Sequence, residues 1–292
     1  MTPPAPPRAE GDGPGRVTRL VDSHCHLQAD RFTADVELVI EGARLAGVER
    51  MLVPAWDRSS AEAALALADR FPLLDTAVGV HPHDASSVDE AAWEWFVATA
   101  ADERVVAIGE TGLDYDRAYS PVEDQLVNLR RNLALAVATS KPAILHCRSA
   151  PGRRDAQDAL VGELRAAGFD GPAVRARFGD RPAAVIHSYS GPVDYAAAIV
   201  EMGLALSFSG LVFRRDEGPS AEAVCLLSAD RLLVETDSPF LSAPGAPRTR
   251  NEPEWVAIVA RWAAARRGED PDGAGERLVV AYDRAFPRPG RS

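Results

Sequence analysis

From residue 19 onward the chain alternates short apolar runs with longer stretches whose apolar positions recur every three or four residues, a rhythm that predicts strands followed by helices. "TRLVDSH" (18–24) reads as the first strand, and "TADVELVIEGARLAG" (33–47) as the first helix, with Thr33 as its cap and Gly47 after it. "VERMLVPA" (48–55) is the second strand, and "SSAEAALALADRF" (59–71) is a helix opened by a serine cap. "LLDTAVGVHPH" (73–83) and "RVVAIGE" (104–110) continue the strands, with helices over "VDEAAWEWFVATA" (88–100) and "PVEDQLVNLRRNLALAVATS" (121–140). "PAILHC" (142–147), "AAVIHSYSG" (183–191), "GLALSFSG" (203–210) and "RLLVETDSP" (231–239) are the later strands, and "EPEWVAIVARWAAARRG" (252–268) closes the chain as a helix.

About eight strand–helix units in one chain of 292 residues are the count of a single α/β barrel, a (β/α)8 fold of the triosephosphate-isomerase (TIM) type. An open doubly wound sheet is the competitor, but no glycine-rich dinucleotide turn follows the first strand. The long interval from His146 to His187 breaks the rhythm, and residues 148–182 are expected to hold a helix plus an irregular insertion. Residues 1–18, rich in Pro and Gly without an apolar segment, are expected to be a flexible tail rather than a secretory signal.

Composition narrows the function. Apolar residues make up 46% and charged residues 26%, and no apolar run reaches the roughly 20 residues needed to span a bilayer, so no membrane association is expected. Three cysteines, Cys25, Cys147 and Cys225, form no disulfide framework, which points to a reducing compartment and a cytoplasmic location. A net charge of −11 repels DNA and RNA unless bound cations reverse the local sign, and no basic stripe with interleaved aromatics marks a binding module without chemistry. Nothing points to a stable protein partner.

The chemistry lies in the histidines. There are six, His24, His26, His81, His83, His146 and His187, and each falls at or just past the end of a predicted strand. Glu110 and Asp237 fall at equivalent places. In a barrel those ends converge on one face, so residues scattered in sequence meet in space. Imidazoles with carboxylates form an N/O ligand set suited to Zn²⁺, Mn²⁺ or similar cations, with enough ligands for two. A closed structural metal site would more often use cysteine ligands. Cys25 and Cys147 alternate with ligand candidates along their strands, which turns their sulfurs toward the helices and leaves a Cys–His nucleophile as a formal alternative only.

With these residues in view, the chain resembles the TatD family of metal-dependent hydrolases. The matching blocks are "DSHCHL" (22–27), "GVHPHDA" (79–85), "IGETGLDY" (108–115), "SPVEDQ" (120–125), "KPAILHCR" (141–148), "IHSYSG" (186–191), "LLVETDSPFL" (232–241) and "RTRNEP" (248–253). The resemblance covers residues 19–292 and implies one (β/α)8 hydrolase domain that cleaves phosphodiester bonds in DNA with two divalent cations, Mg²⁺, Mn²⁺ or Zn²⁺. It implies that His24, His26 and Asp237 hold one cation, that His146 and His187 hold the other, and that Glu110 bridges them. Asp237 is also expected to take a proton from the attacking water, and Asp22 to orient a ligand histidine. His81, His83 and Arg148, with Arg214 or Arg215, are expected to contact the substrate. The chain departs from the family pattern at "HCRSAPGRRDAQDAL" (146–160), where "RDA" follows only after an insertion. That departure beside the pocket leaves a small phosphodiester, ester, lactone or amide as the alternative substrate on the same site.

Overall fold

The computed structural model describes residues 19–214 and 218–288. Eight strands, β1 (Leu20–Asp22), β2 (Val48–Pro54), β3 (Leu74–Val78), β4 (Val105–Asp114), β5 (Ala143–Arg148), β6 (Ala184–Ile186), β7 (Ala205–Phe208) and β8 (Leu232–Val234), pair in parallel in sequence order. Around them lie α1 (Val36–Leu45), α2 (Arg58–Arg70), α3 (Glu90–Thr99), α4 (Val122–Thr139), α5 (Asp155–Ala166), α6 (Pro172–Phe178), α7 (Val193–Glu201), α8 (Gly218–Leu226), α9 (Val256–Arg267) and α10 (Pro271–Ala285). This is the expected (β/α)8 barrel. Helices cover the outside and side chains fill the inside, so strands such as β4 are buried along their whole length.

The ring closes just beyond β1 and β8, through the segments that carry the first histidines. Ser23 N–H donates to Val234 O (3.0 Å), Asp237 N–H to His24 O (2.9 Å) and His26 N–H to Ser238 O (2.7 Å). The backbone bonds that complete the barrel thus set His24 and His26 beside Asp237.

Several expectations are corrected. Helix α1 is not capped by Thr33: it starts after Asp35, whose carboxylate caps nothing because Arg250 takes both of its oxygens (2.8 and 2.9 Å). Gly47 does end that helix, at φ 96°. In α2 the cap is Asp57 rather than a serine; Asp57 Oδ1 accepts from Ser60 N–H (2.7 Å) and Ser60 Oγ accepts from Asp57 N–H (2.9 Å), a reciprocal capping box. Residues 148–182 hold two helices, α5 and α6, rather than one and an irregular stretch. The chain continues past α9 into α10, which locks the C-terminal region under the barrel: Tyr282 Oη and Arg288 Nε both donate to Asp75 (2.9 and 2.6 Å). The expected tail, residues 1–18, and Arg215 lie outside the described residues.

Strand β4 shows how packing dictates residue type. Gly112 pairs with His146 of β5, at φ 137°, and a Cβ there would stand 2.0 Å from the His146 carbonyl oxygen. Only glycine lets the two backbones approach so closely. Gly112→Ala is expected to cost about 3 kcal/mol through overlap and backbone strain and to displace His146; a variant that melts and binds cations like the wild type would show the contact to be slack.

Candidate metal centre

Glu110 reaches the barrel axis because β4 bulges beneath it. The register with β5 shifts between Ile108 and Thr111, and Glu110 N–H leaves the ladder to donate to Ala55 O, just past β2 (2.8 Å). A bulge re-aims a side chain, and here it lays a carboxylate among five imidazoles.

The two oxygens of that carboxylate face different partners. Glu110 Oε2 lies 3.2 Å from His24 Nε2 and 3.7 Å from His26 Nε2. Glu110 Oε1 lies 3.0 Å from His146 Nδ1, 2.9 Å from His187 Nε2 and 3.4 Å from His81 Nε2. Asp237, at φ 53° just past β8, closes the first set, with Oδ1 at 3.4 Å from His26 Nε2 and 3.8 Å from His24 Nε2. The structure therefore brings together all six expected ligands and His81.

This donor set fits cations. His24 Nε2 and His26 Nε2 stand 3.2 Å apart, both turned toward the Glu110 and Asp237 carboxylate oxygens. Lone pairs directed at one another repel unless a positive charge sits among them. Their spacing is that of atoms sharing an ion at about 2.0–2.2 Å. Three groups, His24–His26–Glu110, His24–His187–Asp237 and His81–Glu110–His146, have donor atoms within 4.8 Å of one another.

The electrostatics agree. Burial works against the Glu110 carboxylate, yet the rings of His187, His81 and His24 and the hydrogen bond from His146 hold it well below the usual carboxylate range. Burial also pulls on His187, but Glu110 and Glu235 on either side push it well above the ordinary imidazole value. His81 behaves differently: burial lowers it to about 4 against the pull of Glu110. Its Nδ1 accepts from His83 N–H (3.1 Å), which leaves the proton on Nε2, directed at Glu110. As a neutral donor aimed into the site, His81 suits a substrate oxygen better than a cation.

Two buried carboxylates had no role assigned from the sequence. Glu235 Oε1 accepts from Ser188 N–H (2.8 Å) and Ser188 Oγ (2.7 Å) and lies 3.2 Å from His187 Nδ1, so it holds that ring with Nε2 toward Glu110. Asp114 Oδ2 lies 2.7 Å from His83 Nε2, 3.3 Å from His146 Nε2 and 3.6 Å from an Arg148 guanidinium nitrogen. Burial disfavours the Asp114 carboxylate, but the His146 ring beside it and the hydrogen bond from His83 hold it far below its usual value. The signal was present as alternation: Asp114 shares parity with Glu110, and Glu235 with Asp237. Glu235→Gln is expected to weaken cation affinity on the order of 10-fold, read by competition with a chelator; unchanged affinity would reduce Glu235 to a packing residue.

The remaining candidates sort by position. Arg148 stands half exposed at the mouth, and Arg214 is exposed after β7 with no contact to the site described. Asp22 does not touch an imidazole. It accepts from the His24 and Thr236 N–H groups (3.2 and 3.0 Å) and from Thr236 Oγ1, so it pins β1 to β8 below the site. Burial pushes its carboxyl up to about 8 despite these bonds. Cys25 Sγ faces Leu52 O (3.5 Å). Burial pushes the Cys147 thiol up to about 12, which deprives it of nucleophilic character.

A cluster of N/O donors at the C-terminal mouth of a (β/α)8 barrel defines a metal-dependent barrel hydrolase. The family profile described as TatD related DNase matches residues 21–287. A Bacillus subtilis protein called "Uncharacterized metal-dependent hydrolase YabD" is 34% identical over 82% of this chain and 88% of its own length. The "3'-5' ssDNA/RNA exonuclease TatD" of Cronobacter sakazakii is 34% identical over 86% of this chain and 92% of its own length. Among solved structures, YJJV, a TatD homolog from Escherichia coli, superposes with a TM-score of 0.80 at 28% identity, over 92% of this chain and 98% of that one. The chain belongs to the TatD family of metal-dependent hydrolases.

Proposed function

We propose that residues 19–292 act as one hydrolase unit that removes nucleotides from the 3' end of single-stranded DNA or RNA, using two divalent cations, Mg²⁺, Mn²⁺ or Zn²⁺. The observation that carries this reading is the division of Glu110, with one oxygen toward His24 and His26 and the other toward His146 and His187. On this reading His24, His26 and Asp237 hold one cation, His146 and His187 hold the other, and Glu110 is shared. When bound, such cations lower the pKa of water and neutralise charge building on phosphoryl oxygens.

The chain's own residues supply the rest. Asp237 directs Oδ1 at the first histidine pair, leaving Oδ2 to take the proton from the attacking water and pass it to the leaving oxygen. His81 offers the proton on Nε2 to a phosphoryl oxygen. Arg148, beside Asp114 at the mouth, offers its N–H donors to a substrate phosphate, and His83, donating to the same carboxylate, lines that corner. The free thiols of Cys25, Cys147 and Cys225 support a reducing, cytoplasmic setting. Among the described residues no helix is long and apolar enough to cross a membrane.

The net charge of −11 favours one other reading, a small phosphodiester or ester as substrate of the same site. Chelator-stripped protein would be supplied with each cation and offered single-stranded DNA labelled at either end, bis(p-nitrophenyl) phosphate and an ester and lactone panel. Cation-restored shortening from the 3' end is the expected result. Intact DNA alongside cation-restored turnover of a small substrate would transfer the function to the second reading.

A further inference from the structure

Ten large apolar side chains are exposed among the described residues, and the aromatic ones share a location. The aliphatic ones include Leu38 and Leu45 on α1, Val127 on α4 and Val280 on α10, the usual scatter of a barrel's outer helices. The three aromatic ones, Tyr119, Phe213 and Phe240, all stand on segments that follow strands β4, β7 and β8, at the mouth where the donor cluster opens. Exposed rings rimming a polar site mark a binding surface.

Two of the rings are tied to the site histidines. Tyr119, 68% exposed, packs edge-on against His83 with ring centroids 4.6 Å apart. Its loop is anchored by Ser120 Oγ, which donates to His83 O (2.7 Å). Phe240, 47% exposed, packs edge-on against His26 at 6.0 Å, with the Arg31 guanidinium 5.6 Å from its ring centroid. Its backbone is held on both sides: Phe240 N–H donates to Asp237 O (2.8 Å), and Asn251 Nδ2 donates to Phe240 O (2.8 Å). In a ring of eight strands β4 and β8 stand opposite each other. Tyr119 and Phe240 therefore stand on opposite sides of the mouth, one beside His83 and the other beside His26.

We propose that Tyr119 and Phe240 are base-stacking platforms that seat the two nucleosides flanking the scissile phosphate, and that they thereby confine the enzyme to unpaired ends. The inference rests on the nuclease reading above and adds how substrate is recognised. A ring on each side of a phosphate pocket accepts any base, because every base has a π face, and this suits an exonuclease that must step along without regard to sequence. Two bases splayed onto opposite rims cannot remain stacked on each other or paired, so a duplex end would have to be unstacked first, at a cost of a few kcal/mol. An anionic protein also gains by binding bases through ring faces, which carry no salt dependence of the phosphate kind.

The test is a cycle between protein ring and substrate base. Wild type, Tyr119→Ala and Phe240→Ala would be assayed on a single-stranded oligonucleotide, and on versions abasic at the 3'-terminal or the penultimate position, with bound cations per chain measured for each protein. Wild type is expected to lose on the order of 10-fold in kcat/KM at either abasic position. Each alanine variant should keep its cations, lose a comparable factor on the intact strand through KM, and become insensitive to one abasic position, a different one for each ring. Tyr119→Phe and Phe240→Tyr should restore the sensitivity. Abasic penalties of wild-type size in both alanine variants would overturn the proposal while leaving the nuclease reading intact, whereas wild-type protein that cleaves no nucleic acid would overturn both.

Discussion

Glu110→Gln is expected to leave the protein with at most one bound cation per chain and to lower turnover on the order of 10³-fold. The amide matches the carboxylate in shape, so the β4 bulge and the packing around it should survive. What disappears is the negative charge that two sets of imidazoles share, Oε2 at 3.2 Å from His24 and Oε1 at 2.9 Å from His187. An amide offers one oxygen and one NH2 group, so whichever way it turns, one histidine pair meets a donor where it needs an acceptor. Charge stabilisation by a cation is worth several kcal/mol in the transition state, and each 1.36 kcal/mol is about tenfold in rate. Elemental analysis of the purified variant beside its kcat checks this. Two cations per chain with near-wild-type kcat would show that Glu110 is not shared, and the two-cation reading would fail with it.

How much of this was legible in advance differs from residue to residue. The barrel and the convergence of the six histidines follow from period and order, since each histidine falls where an apolar run ends and a barrel gathers such ends on one face. The aim of Glu110 was not legible. Its place at a strand end could be read, but the bulge that turns it inward depends on the register with Ala143 and Leu145 and on a bond to Ala55, pairings distant in sequence. The start of α1 was hidden for a similar reason, since Asp35 is an acceptable cap in isolation and only Arg250, far along the chain, draws its carboxylate away. The Asp57–Ser60 box that opens α2, by contrast, is local and was there to be read. Asp114 and Glu235 had the parity of their neighbours, yet whether a carboxylate at that parity faces a cation or the back of an imidazole depends on which ring stands beside it.

The same bonds that complete the fold also build the site. Barrel closure runs through Ser23, His24, His26, Asp237 and Ser238, and Asp22 and Asn251 stitch the layer beneath by binding Thr236. A change in this seam should therefore reduce cation affinity and thermal stability together. A change at the β4–β5 side, such as at Asp114, should disturb the His83 and Arg148 corner first.

Asp237→Asn should separate the two tasks assigned to this aspartate. The asparagine keeps an oxygen for the cation held with His24 and His26, but its NH2 group cannot take a proton where Oδ2 could. Bound cations are therefore expected to stay near the wild-type number while kcat falls by about 10²–10⁴-fold, the range of a lost general base. Asp237→Ala should remove both, with one cation lost and turnover near the uncatalysed level. The backbone makes asparagine the cleaner replacement. Residue 237 sits at φ 53°, where Asp and Asn are tolerated and alanine costs roughly 1–2 kcal/mol, and its N–H is one of the bonds that close the barrel onto His24. The alanine variant thus carries a seam penalty that would show as a lower melting temperature, and the asparagine variant does not. If Asp237→Asn turned over like the wild type with its cations in place, Asp237 would not be the general base, and its role would reduce to holding the cation beside His24 and His26.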